Sequence, residues 1–255
     1  MLNRTFCHVK GIGKDTERAL WAQGCDNWNT FLANPSEFST GAAPKDFAVS
    51  TIQKSVDAFE AGNHQFFQKA LGTQEAWRAW SSFQNSCVYL DIETDGGQTG
   101  GAVTIIGLYD GNQFQVLVKD DNIEEFRDVI SKYSMIVTFF GTGFDLPMLQ
   151  KRFRGLVFDQ IHLDLCFALK RLDYRGGLKK IERQLGISRS SEADGLDGRD
   201  AIRLWREHLR GSETALETLV AYNREDVVNL EVLAQIAVDG LTKQAMFGTE
   251  SAARP

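Results

Sequence analysis

The sequence predicts an α/β fold: a mixed five-stranded sheet, its first three strands antiparallel, flanked by helices and preceded by a small helical N-terminal region. Three observations carry that reading. From Cys87 the chain changes from polar and aromatic texture to short runs rich in β-branched residues, CVYLDIET, AVTIIGLY and QFQVLV, which is strand patterning. Two further apolar runs, MIVTFF and IHLDL, alternate with stretches of helical period. Before about residue 85, glycine breaks and aromatics at helical spacing take the place of strand patterns.

Taken in order, Gly11-Ile12-Gly13 opens a short helix through Thr16, Ala19, Leu20 and Trp21, Gly24 breaks it, and Trp28, Phe31 and Leu32 mark another. The glycine turn looks like half of a helix–hairpin–helix; it can hold a phosphate through backbone N–H groups, or it can be a packing device. Residues 47–83 read as two or three amphipathic helices carrying Phe59, Phe66, Phe67, Leu71, Trp77, Trp80 and Phe83. TDGGQTGG then joins the first two strands, and Asp110-Gly111-Asn112 joins the second and third with hairpin chemistry. NIEEFRDVISKY keeps Ile123, Phe126, Val129, Ile130 and Tyr133 at helical spacing before MIVTFF. FDLPMLQKRF is helical after Pro147, IHLDL is a short strand, and FALKRL through IERQLGI is helical. The last long element, ETALETLVAYNREDVVNLEVLAQIAVD, keeps Leu216, Leu219, Val220, Val227, Leu230, Leu233 and Ile236 near one face. The expected organisation is a helical region over 1–85, the sheet domain over 86–240, and a frayed tail over 241–255.

The 255 residues, 43% hydrophobic and 24% charged, suit a catalytic domain with an appendage rather than a disordered chain. No run reaches the ~18 apolar residues that span a bilayer, and MLNRTFCHVKGIG lacks the apolar core of a secretory signal, so a cytoplasmic location with no membrane is expected. Cys7, Cys25, Cys87 and Cys166 include no C-x-x-C pair, which favours reduced thiols over a disulfide framework or zinc. Net charge of −6 argues against nonspecific coating of nucleic acid. Residues 170–189 nevertheless carry Lys170, Arg171, Arg175, Lys179, Lys180, Arg183 and Arg189 against Asp173 and Glu182, either a strip for a polyanion or a solvated helix face. Gly96, Gly97, Gly100 and Gly101 follow a strand as in a dinucleotide-binding loop, but a strand and not a helix comes next, so no dinucleotide cofactor is expected.

The chemistry lies in the carboxylates. Asp91 and Glu93 are two apart on a strand and share a face. Two acids inside a covered sheet cost several kcal/mol unless neutralised, which a divalent cation can do; at an exposed strand end, water does it instead. Asp145 follows a strand and a Gly-Thr-Gly turn in GTGFDLP, where it can also simply cap the helix that Pro147 favours. Tyr222 and Asp226 stand four apart on the last helix and share a face. Plainer roles are a core tyrosine and a surface acid paired with Arg224 or a lysine. Asp164, on IHLDL, is a further acid that suits a helix cap for FALKRL.

In order, LDIET, then GFDLP after a strand, then YNRED on a late helix resemble the three motifs of the DEDD exonucleases, in the DEDDy variant with tyrosine four before the last acid. LKKIERQLGI, GLDGRDAIRLW, YNREDVVNLEVL and the leader pattern GIG…LW..G…W..FL are similar to the YprB-like branch. The resemblance, over about Tyr89 to Ala234, implies a ribonuclease-H-like fold and a 3′-5′ exonuclease of DNA or RNA. It also implies two divalent cations, Mg2+ or Mn2+, which suit a set of hard oxygen donors. Asp91 would bridge both ions, Glu93 and Asp226 would complete the first, and Asp145 would act through coordinated water at the second. Tyr222 would orient the attacking water. Phe144 and Leu146 flank Asp145 and are candidates to wedge or stack terminal bases, and Lys179, Lys180 and Arg183 are candidate phosphate contacts. Rival readings are a nucleic-acid-binding module without turnover and a structure-specific endonuclease on the same scaffold.

Overall fold

Alternation along one strand decides how the sheet is covered. The computed structural model describes residues 1–97, 101–190 and 195–248, and within them the sheet consists of β1 (Cys87–Thr94), β2 (Val103–Tyr109), β3 (Phe114–Val118), β4 (Met135–Thr138) and β5 (Ile161–Asp164). Their order is β3-β2-β1-β4-β5. β1–β2 and β2–β3 pair antiparallel, as the sequence predicts, while β1–β4 and β4–β5 pair parallel and make the sheet mixed. Cys87 and Tyr89 face one way with Met135, Val137, Ile161 and Leu163, and Val88, Leu90 and Ile92 face the other with Ile106, Leu108 and Ile136. Both faces are apolar because both are covered.

The second face is covered by α6 (Phe126–Ile130) and α7 (Asp145–Arg152), through Phe126, Val129, Ile130 and Leu149, with Phe153 just beyond. Four more C-terminal helices, α8 (Leu165–Lys170), α9 (Leu178–Gln184), α10 (Gly198–His208) and α11 (Glu213–Phe247), complete the sheet domain. α11 lies against β1 and β2, with Leu219 beside Ile105 and Leu233 among the residues packed on Tyr89.

The N-terminal helices α1 (Lys14–Ala22), α2 (Trp28–Ala33), α3 (Lys45–Glu60), α4 (His64–Glu75) and α5 (Trp80–Phe83) add Trp28, Phe67, Trp77 and Trp80 to the same cluster as Met135, Val137, Ile161 and Leu163. α4 and residues 76–79 lie against β5, and the Trp80 indole N–H donates to the Tyr89 hydroxyl at 3.2 Å. The glycine turn is a close-packing device: Gly11 has φ +98° and a Cβ there would meet the Ala43 backbone nitrogen at 2.8 Å. Behind it, the buried Glu17 carboxylate accepts from Thr5 Oγ1 (2.7 Å), the Phe6 and Cys7 N–H groups (2.6 and 3.1 Å) and Arg78 Nη2 (2.9 Å). Arg78 also donates to Glu75 at 2.7 Å, so both buried ions are paired and hydrogen-bonded, as burial of charge requires.

Several boundaries differ from the sequence expectation. The stretch FALKRL through IERQLGI is two helices, because Asp173 (φ +64°) and Gly176 (φ +132°) put left-handed backbone between them. β4 stops at Thr138, two residues short of MIVTFF, where Phe140 takes φ +64°. α7 starts at Asp145, ahead of Pro147. α10 is opened by a capping box between Asp197 and Asp200 and buries Ala201, Leu204 and Trp205. α11 continues through buried Leu241 to Phe247, into the stretch expected to fray. Gly100 of the glycine loop lies outside the described residues, but the antiparallel β1–β2 pairing on either side is the expected hairpin. No described helix is long and apolar enough to cross a membrane.

Candidate catalytic carboxylate site

Asp91 and Glu93 continue the parity of Cys87 and Tyr89, so where the covered face gives way at the end of β1 they meet α11. The helix reaches this close because Gly107 of β2, opposite Asp91 in register, is bare: a Cβ there would lie 1.8 Å from Asn223 Oδ1. α11 delivers Tyr222, Asn223 and Asp226, all buried, on adjoining faces by the 3.6-residue period. Asp91, Glu93 and Asp226 each offer a carboxylate oxygen within 4.8 Å of the others. Asn223 Nδ2 donates to Asp91 Oδ2 at 3.0 Å and fixes the central acid.

Asp145 arrives from the opposite side of β1. It does not cap α7; its Oδ1 accepts from the Ile92 N–H at 3.2 Å, which ties the start of the helix to the strand between the two acids. It stands outside the three-carboxylate group, yet its charge bears on Asp91.

Burial, then the charges of Asp145, Asp226 and Glu93, push the Asp91 carboxyl well above its ordinary range. Burial and the Asp226 charge lift Glu93 to about 8, against the Asn223 hydrogen bond and the Lys179 charge. Burial lifts Asp145 to about 7, opposed by backbone N–H groups. Asp226 is raised by burial, with Arg189 and Lys179 pulling the other way. Four acids that resist ionising together are an invitation to a cation.

Two side chains supply part of that charge. Arg189, buried, donates both ways to Glu182 (2.8 and 2.7 Å) and sits 2.5 Å from Asp226 Oδ1. Lys179 Nζ donates to the Tyr222 hydroxyl and to the Leu196 carbonyl, each at 2.5 Å, and lies 3.9 Å from the Tyr222 ring centroid. Burial and the surrounding acids raise the Tyr222 phenol, so it keeps its proton. Lys179, Glu182, Arg183, Arg189 and Asp197 border a cleft of about 600 Å³.

The structure thus brings together Asp91, Glu93, Asp226 and Tyr222, with Asp145 alongside and Lys179 against the tyrosine. Phe144 is 37% exposed and Leu146 half-buried at the start of α7, while Lys180 and Arg183 are exposed on α9. Asp164 caps α8 through the Cys166 N–H (3.1 Å) and also accepts from the N–H groups of Phe140 (2.8 Å) and Thr142 (3.0 Å).

A family profile described as RNase_H superfamily matches residues 88–238, which is more than half of the chain. The chain belongs to the RNase H superfamily. Among solved structures it resembles the family B DNA polymerase from the hyperthermophilic archaeon Pyrobaculum calidifontis, with a TM-score of 0.51 and 16% identity. That likeness covers 66% of this chain and 27% of the polymerase chain, and it concerns the fold. No curated protein matches.

RNase H-like nucleases generally use divalent metals, and the donor set here fits one: the group is three carboxylates, without His or Cys, largely buried and crowded enough to resist ionising. Sequence reasoning passed over three residues of this superfamily member's site. Asn223 carried a signal, since it directly follows Tyr222 and stands three before Asp226. Arg189 was visible only as one cation in a basic strip, and Gly107 only as a glycine in a strand, a position where close backbone approach is the usual reason.

Proposed function

We propose that this chain is a metal-dependent nuclease that hydrolyses phosphodiester bonds of DNA or RNA from a 3′ end, a DEDDy-type exonuclease of the YprB-like branch. The observation that carries the reading is the convergence of Asp91, Glu93 and Asp226 to within 4.8 Å, with Tyr222 one helical turn from Asp226. Asp91, Glu93 and Asp226 would hold a first cation, and Asp145, which accepts from the Ile92 N–H beside them, would serve a second. Bound Mg2+ or Mn2+ supplies a hydroxide-like nucleophile and neutralises charge on the phosphoryl and leaving oxygens.

The chain's own groups do the rest. Asn223 fixes the Asp91 carboxylate through its amide. Tyr222, kept protonated, presents a hydroxyl that Lys179 holds in place and that can orient the attacking water. Lys179 and Arg189 balance the acids and offer donors to a substrate phosphate. Phe144 and Leu146 flank Asp145 where a terminal base can rest, and Lys180 and Arg183 lie on the exposed side of the same helix as Lys179.

The test is a cleavage panel of 3′- and 5′-labelled DNA and RNA with Mg2+ or Mn2+. Shortening from the 3′ end, absent in chelator and absent on a substrate with both ends blocked, is the expected result. A strand that binds but never shortens under either ion would defeat the enzyme reading, and cutting of the blocked substrate would make the protein an endonuclease.

A further inference from the structure

A second cleft opens where the N-terminal helices meet the carboxyl ends of β4 and β5. Its volume is about 690 Å³, and Lys14, Lys170, Arg171, Arg175 and Phe167 are among its lining residues. Its one lining carboxylate among the described residues is Asp164, whose oxygens are occupied by the N–H groups of Phe140, Thr142 and Cys166. Lys14 and Arg171 lie 3.1 and 3.8 Å from Glu75, and Arg175 lies 3.6 Å from Asp173. The exposed Arg175–Asp173 pair contributes little, while Lys14 and Arg171 share the largely buried Glu75 and Arg171 also donates to the Gln74 carbonyl at 2.6 Å. Lys170 is exposed and has no carboxylate within 4.0 Å among the described residues.

Beside this basic lining stand two uncovered aromatic rings. Phe140 is 48% and Phe167 49% exposed, with ring centroids 6.4 Å apart. Phe140 is held there at a cost: its φ of +64° is left-handed, which is unfavourable for a bulky L-residue. The loop is shaped to its ring, since a Cβ on Gly143 would come within 2.7 Å of Phe140 Cζ. Strain kept at an exposed aromatic points to work done by the ring rather than to packing.

The cleft and the catalytic acids share one end of the sheet. β1, β4 and β5 run parallel, with Thr138 opposite Asp164, so the strands that carry the acids and border the cleft, β1 and β5, stand about 10 Å apart, two strand spacings. We infer that the cleft is a second contact region for a single-stranded nucleic acid whose end lies at the carboxylates: bases rest on Phe140 and Phe167, and phosphates meet Lys14, Lys170, Arg171 and Arg175. The inference rests on the nuclease reading, and it specifies a single strand because the faces of paired bases are closed to such rings.

The experiment uses the full chain and the variants Phe167→Ala, Phe140→Asn and Lys170→Ala. Asparagine suits left-handed backbone, so Phe140→Asn removes the ring without harming the loop. Affinity for a labelled single-stranded oligonucleotide is measured with Ca2+ in place of Mg2+, and hydrolysis of a nucleoside p-nitrophenyl phosphate, which reaches only the acids, is measured with Mn2+. Each phenylalanine variant should weaken strand binding roughly tenfold, the size of one stacked base. Lys170→Ala should flatten the salt dependence by about one phosphate, and all three should hydrolyse the short ester at the parental rate. Parental strand binding in the three variants would overturn the cleft and leave the nuclease reading standing. Ester hydrolysis falling in step with binding would also overturn it, since the effect would then lie at the carboxylates. A parent that neither binds strand nor cleaves overturns both.

Discussion

Asp91 is the acid on which the others bear: it takes the Asn223 amide and is raised by burial and then by Asp145, Asp226 and Glu93. Asp91→Asn removes a proposed metal ligand while changing little volume. Loss of several kcal/mol of charge stabilisation corresponds to a fall in cleavage on the order of a thousandfold, with circular dichroism unchanged; cutting at the parental rate would remove Asp91 from the mechanism. Tyr222 acts one step away. Tyr222→Phe takes the hydroxyl from Lys179 and, on the proposed mechanism, from the attacking water, so kcat should drop by about 10²–10⁴-fold while metal affinity, read by calorimetry, stays near parental. A matching loss of affinity would mean that the phenol supports the acids instead.

Among the elements, β1 and α11 are the pair that makes the site, and Gly107 sets their separation. Gly107→Ala would drive a methyl into Asn223 and Val227, forcing α11 away from the sheet. Overpacking of this kind costs about 1–3 kcal/mol, and a shift of the helix also disperses Asp226 and Tyr222, so activity should fall more steeply than melting temperature; an active, equally stable variant would show that the helix has slack. The strands and α11 were legible because their patterns repeat over many residues and because Asp91, Glu93, Tyr222 and Asp226 sit at spacings that map onto one face. The break between α8 and α9 was not, since it rests on Asp173 adopting a left-handed backbone that its residue type permits but does not require. Arg189 was equally hidden: only the fold carries it across to Asp226, 37 positions along the chain.

At the scale of the molecule, the site sets a pH and metal dependence. Burial and the Asp226 charge lift Glu93 to about 8, burial lifts Asp145 to about 7, and burial with the neighbouring acids raises Asp91 well above its ordinary range. An acid with a folded pKa above its unfolded one binds its proton more tightly when folded, so its contribution is fully present below about pH 4 and is lost as pH rises through the folded value. The metal-free protein should therefore lose stability from the site between about pH 4 and pH 8, and Mg2+ or Mn2+ should restore several degrees of melting temperature, more at about pH 8 than at about pH 5. Melting curves with and without cation check this; the same increment at both pH values would count against a carboxylate site.

The aromatic helices before β1 carry a different consequence. Phe67, Trp77 and Trp80 share one buried cluster with Met135, Val137, Ile161 and Leu163, on the side of the sheet where α4 and residues 76–79 lie against β5. The change of texture near residue 85 is therefore no place to cut the gene: a fragment starting there would emerge with a bare greasy plane and would clump before its acids ever met a strand.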